Sequence, residues 1–234
     1  MIKVIARILL VLLVVGGAFV FFEYRQYNNK VEKREEALQY FKDEDYAQSI
    51  RLLEEALEDK NLFSEKIDKD MKCYLAESYC LFQEYDKASE LYDQMIEANP
   101  RQVSYYILQG ECQTAAGDAG ENKARYYQAA QKTYELGYEK TGDLDFLKRL
   151  CQLCLDVENY DAALSYADQG IKEGGDRSGD FLFCKVVIYE KQQDYEAAFR
   201  AAADYVKACP DDERGQKEYA FLASRVQQPQ GNAD

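Results

Sequence analysis

The chain contains no histidine and no tryptophan, and only 3 of its 234 residues are proline. Without histidine there is no Ser-His-Asp or Cys-His nucleophile system and no imidazole to hold a metal. Positive charge is also scarce: 29 Lys+Arg face 43 Asp+Glu, a formal charge of −14. So acidic a chain lacks the basic footprint that a phosphate backbone requires, so nucleic acid is not an expected partner. These absences point away from an enzyme. What is present is a hydrophobic content of 47%, in the globular range, with 20 Tyr and 7 Cys.

The first distinctive feature is residues 1–22, MIKVIARILLVLLVVGGAFVFF. Lys3 and Arg7 precede an uninterrupted apolar run from Ile8 to Phe22. Counted from Val4, with Arg7 as its only charge, the stretch spans about 28 Å as a helix, close to a bilayer core of ~30 Å. Phe21, Phe22, Tyr24 and Tyr27 fall where an aromatic belt lies. The segment reads as a transmembrane signal-anchor. Gly16, Gly17 and Ala18 suit a signal peptidase, but four apolar residues follow them, which a cleavage region normally lacks. Removing Lys3 and Arg7 from the count of 29 basic and 43 acidic residues leaves −16 on the remainder. The short basic N-terminus favours an acidic domain outside the cytoplasm. Arg25, Lys30, Lys33, Arg34 and Lys42, just after the span, favour the opposite orientation.

Beyond residue 29 one short pattern recurs: an acidic or amide residue, Tyr, then Ala or Ser three positions on. It appears at Tyr46, Tyr85, Tyr160 and Tyr195, which stand 39, 75 and 35 residues apart. The middle gap is about twice the others and hides one further copy. The period and the helical patterning resemble the tetratricopeptide repeat, a 34-residue helical hairpin. Residues 69–102 fit through Leu75, Ala76, Tyr79, Ala88, Tyr92, Met95 and Pro100. Residues 179–212 fit through Tyr189, Ala198, Ala202 and Pro210, and residues 144–177 through Leu147, Leu150, Ala163 and Ala167. Residues 30–63 fit through Ala37, Tyr40, Ser49, Leu53 and Ala56. The hidden repeat, 103–140, holds Tyr106 and Gly110 in its first helix and has a long turn, AAGDAGENK, before a second helix over about 123–136.

The expected fold is therefore all-α: an α-solenoid of about five such hairpins, with a capping helix at 212–226. A transmembrane helix at 1–22 and a juxtamembrane linker at 23–29 precede it, and a disordered tail at 227–234 follows. Small residues at the helix crossing allow close approach, and stacking completes a core that one hairpin cannot close alone. The Pro stops and the absence of a sustained heptad argue against a coiled coil.

Six of the seven cysteines, Cys73, Cys80, Cys112, Cys151, Cys154 and Cys184, fall in expected first helices; Cys209 precedes Pro210. The C-x-x-C at Cys151 and Cys154 could be a redox pair or half a zinc site. A zinc site needs a second Cys pair or His ligands, and the sequence has neither. The cysteines therefore read as small core hydrophobes. The Gly-containing stretches at 115–120 and 172–180 read as inter-helix loops, without the Lys-Ser/Thr of a phosphate-binding loop. Cofactor and metal are both expected to be absent.

The resemblance implies a concave groove lined by first helices that holds a peptide. Its groove positions fall here on Arg34, Phe41, Asp70, Glu77, Ile107, Glu111, Asp145, Lys148, Gln152, Asp180, Phe183 and Glu190. One subset of the family clamps a terminal carboxylate with Lys and Asn at such positions. This chain has acids at several of them and Asn at none, so it departs from that subset. An acidic and apolar groove favours basic or amphipathic partner segments. The expected function is a membrane-tethered adaptor that binds protein partners, similar to envelope assembly factors or translocon and chaperone accessories. The alternatives are a redox enzyme using Cys151 and Cys154, or a structural spacer.

Overall fold

The structure, a computed structural model, describes residues 2–120 and 122–227. Among them are eleven α-helices and no strand. In chain order these are α1 Ile2–Lys42, α2 Tyr46–Glu58, α3 Glu65–Leu81, α4 Tyr85–Ala98, α5 Val103–Ala119 and α6 Lys123–Thr141. Then come α7 Asp145–Asp156, α8 Tyr160–Glu173, α9 Ser178–Lys191, α10 Tyr195–Ala208 and α11 Glu213–Gln227. The fold is an α-solenoid of helical hairpins, as expected. The tail expected at 227–234 lies outside the described residues except for Gln227.

The recurrent Tyr marks one local event, repeated. In each case it opens the second helix of a hairpin, and the residue two before it has a positive φ: Glu44 (61°), Gln83 (66°), Glu158 (56°) and Gln193 (62°). That residue ends the first helix in the left-handed conformation, and the next N–H reaches back to a carbonyl five residues earlier. Asp45 N–H donates to Tyr40 O at 2.9 Å, Glu84 N–H to Tyr79 O at 2.8 Å, Asn159 N–H to Cys154 O at 2.8 Å and Asp194 N–H to Tyr189 O at 3.0 Å. The residue just before the Tyr is the N-cap. Asp45, Asn159 and Asp194 accept from the N–H of Gln48, Ala162 and Ala197, satisfying a donor the helix leaves unpaired. Three of the four copies use the acidic or amide residue for this bond, while Glu84, the longer acid of the fourth, stands at the N-cap of α4 without it.

The chain forms two compact units, Met1–Pro100 with Glu111–Glu121, and Arg101–Gly110 with Asn122–Asp234. In the first, α1 packs on α2, α2 on α3 and α3 on α4, and α1 also touches α3. Its core holds Ala37, Leu53, Ala56, Met71, Ala76, Ala88 and Tyr92, all essentially inaccessible. Ser49 and Ser78, both fully buried, satisfy each other, their hydroxyls 3.3 Å apart.

In the second unit each helix from α6 to α10 packs on its successor, and α7 also touches α9. Ala163, Ala167, Ala198 and Ala202 stand at the crossings, fully buried. Gly137 and Gly170 serve the same purpose more strictly. A Cβ at Gly137 would fall on the Phe146 ring, and one at Gly170 on the Phe181 ring; both rings are fully buried. Several tyrosines bury the ring and send the hydroxyl out to an acid. Tyr166 donates to Glu135 at 2.6 Å, Tyr138 to Glu173 and Tyr205 to Asp212.

Three boundaries differ from the sequence reading, the first being that α5 runs through Ala119, so most of the stretch 115–120 expected as a loop is helix, with no proline to stop it. Residues 23–29 are not a linker but part of α1, which runs unbroken from Ile2 to Lys42. The segment EYRQYNN has neither Gly nor Pro to stop a helix. The second helix of the hidden repeat also runs to Thr141, where Gly142 (φ 69°) closes it and donates to Tyr138 O at 2.8 Å.

Candidate functional site

The candidate groove residues lie on first helices, and neighbouring first helices bring equivalent positions of successive repeats together. In the first unit, Arg34 of α1 meets Asp70 of α3. The Nε donates at 2.6 Å and the terminal guanidinium nitrogen lies at 2.5 Å from the same carboxylate oxygen. Two of the candidates thus neutralise each other. Phe41 is half-buried, edge-on to Tyr46 (5.7 Å) and Tyr74 (5.6 Å). Glu77 of α3 lies close to Glu111 of α5. Burial, then the neighbouring negative charge of Glu111, raises the Glu77 carboxyl above its ordinary range.

In the second unit, Asp145 and Lys148 of α7 and Asp180 of α9 form one network with Arg177. Lys148 lies 3.3 Å from Asp145 and 3.4 Å from Asp180, and Arg177 donates to Asp145. The Arg177 and Lys148 bonds hold the Asp145 carboxyl below its ordinary range. Gln152, exposed, donates to Asp156 at 2.7 Å. With Asp145, Lys148 and Arg149 it lines a shallow depression of about 300 Å³. Phe183 is partly buried under Arg214, whose guanidinium sits 4.0 Å from the ring centre, and packs on Tyr205 at 5.2 Å. Ile107 of α5 is half-buried. Glu190 of α9 faces Glu218 of α11. Burial, then the shared hydrogen bond and charge of Glu218, pushes the Glu190 carboxyl up to about 7.

The candidate positions therefore divide by sign. Arg34–Asp70 and Lys148–Asp180 are opposite-charge pairs between adjacent helices. Glu77–Glu111 and Glu190–Glu218 are like-charge pairs. Two carboxylates held together this way are a local concentration of negative potential that a cation from outside relieves.

Sequence reasoning missed Arg177 and Glu218, which lie outside the groove positions that the family pattern supplies. Cys151 and Cys154 are buried in one core cluster, as the reading of small core hydrophobes expects. Cys151 does not turn to Cys154. It donates to Ala163 O at 3.4 Å and touches Cys184 of the next first helix, 33 residues on. Cys80 and Cys112 repeat that arrangement in the first unit. The Cys184 contact, then burial, pushes the Cys151 thiol up, and burial, then the charge of Glu135, pushes Cys154 up to about 11. Neither is held as the thiolate that thiol chemistry uses. The spacing of about one repeat was the available signal, once the repeat register was known. Among the described residues no group of three or more His, Cys, Asp or Glu is arranged to hold a metal ion.

Residues 152–213 match the family model of the tetratricopeptide repeat. No curated protein matches the sequence. Among solved structures, a tetratricopeptide repeat protein from Parabacteroides merdae shares 14% identity at a TM-score of 0.57, covering 85% of this chain and 74% of that one. A thermophilic tetratricopeptide repeat protein of Thermus thermophilus shares 15% identity at a TM-score of 0.50, covering 83% and 99%. YrrB, described as having an unusual peptide-binding site, shares 13% at a TM-score of 0.50, covering 89% and 98%. Likenesses at these identities establish the fold. Residues 152–213 match tetratricopeptide repeats, and the chain has the tetratricopeptide-repeat fold.

Proposed function

We propose that this chain is a single-pass membrane-tethered adaptor whose first-helix faces hold a basic or amphipathic segment of a protein partner. The observation that supports the binding half is the two neighbouring acid pairs, Glu77 near Glu111 and Glu190 hydrogen-bonded to Glu218, in which burial, then the second acid, raises the Glu77 and Glu190 carboxyls. A Lys or Arg side chain placed between such carboxylates offsets the like charge and lowers the raised carboxyl, Glu77 or Glu190, toward its ordinary range. An acidic segment meets the opposite field.

The tethering half rests on α1. From Leu9 to Phe22 its large apolar side chains are exposed along the helix. Water is a poor solvent for that surface, and a bilayer is a matched one. The domain is placed outside the cytoplasm, in a role such as envelope assembly or as a translocon or chaperone accessory. The short basic N-terminus with Lys3 and Arg7 supports that orientation, against the count of Arg25, Lys30, Lys33, Arg34 and Lys42 after the span.

The test is crosslinking in intact membranes followed by capture, comparing the native chain with Asp70→Lys, Glu77→Lys, Glu111→Lys. The expected result is a specific adduct lost in the triple variant. An adduct that survives charge reversal overturns groove binding. Protection of the domain from protease in intact cells overturns the orientation.

A further inference from the structure

The connection between α2 and α3, residues 59–64, is fastened to α1 at an informative height. Glu23 is the first residue after the apolar run, yet it is only 8% exposed, because this connection covers it. The Asn61 amide nitrogen donates to the Glu23 carbonyl at 2.7 Å and to its carboxylate at 2.9 Å. Leu62 N–H donates to the same carboxylate at 3.0 Å. Two turns further along α1, Lys30, 1% exposed, donates to Asp59 O at 2.6 Å and to the Asp68 carboxylate at 2.6 Å. Both ends of the connection are thus pinned to α1, and Phe63 N–H donating to the Asn61 side-chain oxygen at 2.8 Å stiffens the middle.

That clamp holds two large apolar side chains out of the core. Leu62 is 72% exposed and Phe63 53% exposed, more than any other large hydrophobic outside α1 among the described residues. A polar framework that spends buried hydrogen bonds to present Leu and Phe outward needs an apolar occupant. The occupant is given by position. The Leu62 N–H is bonded to Glu23, so the connection meets α1 one residue, ~1.5 Å of rise, beyond the end of the apolar run. Tyr24, 59% exposed, stands at the same level. Aromatic and aliphatic side chains there lie at the boundary between acyl chains and headgroups.

We propose that Leu62 and Phe63 form a second membrane contact, inserted in the interfacial layer of the bilayer that α1 crosses. The contact sets the height and tilt of the first unit on the membrane. This rests on the reading of α1 as a transmembrane anchor. Because α1 is one helix from Ile2 to Lys42, the anchor and the first repeat's own first helix move together, and the pinned connection gives that rod a second point of support.

The chain has no Trp, so single substitutions give unique reporters. Full-length Phe63→Trp, Phe82→Trp and Phe19→Trp are reconstituted in phosphatidylcholine vesicles with and without brominated acyl chains. Phe82, also exposed, lies at the far end of the 17-residue α3, about 25 Å from the connection, and reports water. Phe19 lies inside the apolar run and reports the anchor. The expected result is loss of emission and a blue shift for the residue 63 reporter, quenching for residue 19, and neither for residue 82. If residue 19 is quenched while residue 63 behaves like residue 82, the second contact is refuted and the anchor stands. If residue 19 is not quenched, the anchor reading fails and the second contact with it.

Discussion

Glu190 offers a quantitative test of the acid pairs. Its carboxyl is raised from 4.5 to about 7 by burial and by Glu218. A folded-state value above the unfolded one means that the native state binds the proton more tightly. The pair therefore costs nothing below about pH 4.5, and stability falls as pH rises through about 7. The full difference corresponds to a ceiling of about 3.4 kcal/mol at alkaline pH. Glu190 is only partly buried, and solvent screening brings the realistic figure to about 1 kcal/mol. Glu190→Gln keeps the shape and removes the charge. It is expected to leave the melting temperature unchanged at pH 5 and to raise it by about 2–4 °C at pH 8. Thermal unfolding followed by circular dichroism, native chain against variant across that range, reads the effect. Equal shifts at both pH values, or a loss at pH 8, would refute the reasoning, because neither follows from repulsion that appears only on deprotonation.

Three further substitutions probe the packing. Gly170→Ala pushes a methyl into the buried Phe181 ring and is expected to destabilise by about 1–2 kcal/mol despite alanine's better helix propensity, measured by denaturant midpoint. Gln83→Gly relieves a left-handed side-chain-bearing residue and is expected to stabilise by about 0.5 kcal/mol, in contrast to the usual effect of glycine. Asp68→Ala leaves the buried Lys30 ammonium without its carboxylate, though Asp59 O remains. The expected loss is about 2 kcal/mol, largely recovered when Lys30→Met is added, since an apolar side chain needs no partner there.

The repeat was legible because its signals are local. Tyr46, Tyr85, Tyr160 and Tyr195, the caps beside them and the small residues after them sit at fixed offsets that sequence displays directly. The left-handed residues at 44, 83, 158 and 193 were not legible, since Glu and Gln carry no mark of positive φ as Gly does. The continuity of α1 through residues 23–29 was obscured by a change from apolar to polar composition that looks like a boundary but breaks no helix. The pairing of Arg34 with Asp70, or Cys151 with Cys184, depends on the rise and rotation from one hairpin to the next, which no single window of sequence contains. Leu62 and Phe63 read as ordinary apolar residues near a turn. Their exposure follows from the Glu23 and Lys30 clamps, more than 30 residues away along the chain.

The central claim is that paired carboxylates on first-helix faces receive a basic segment. It is tested most directly by fluorescence anisotropy of a Lys/Arg-rich amphipathic helical peptide, and of its Glu/Asp counterpart, titrated with the native chain and with Glu77→Gln, Glu111→Gln. The expected result is binding of the basic peptide alone, weakened by salt and by about tenfold, or 1.4 kcal/mol, in the double variant. Equal affinity for the acidic peptide, or basic-peptide binding indifferent to both carboxyls, would contradict it.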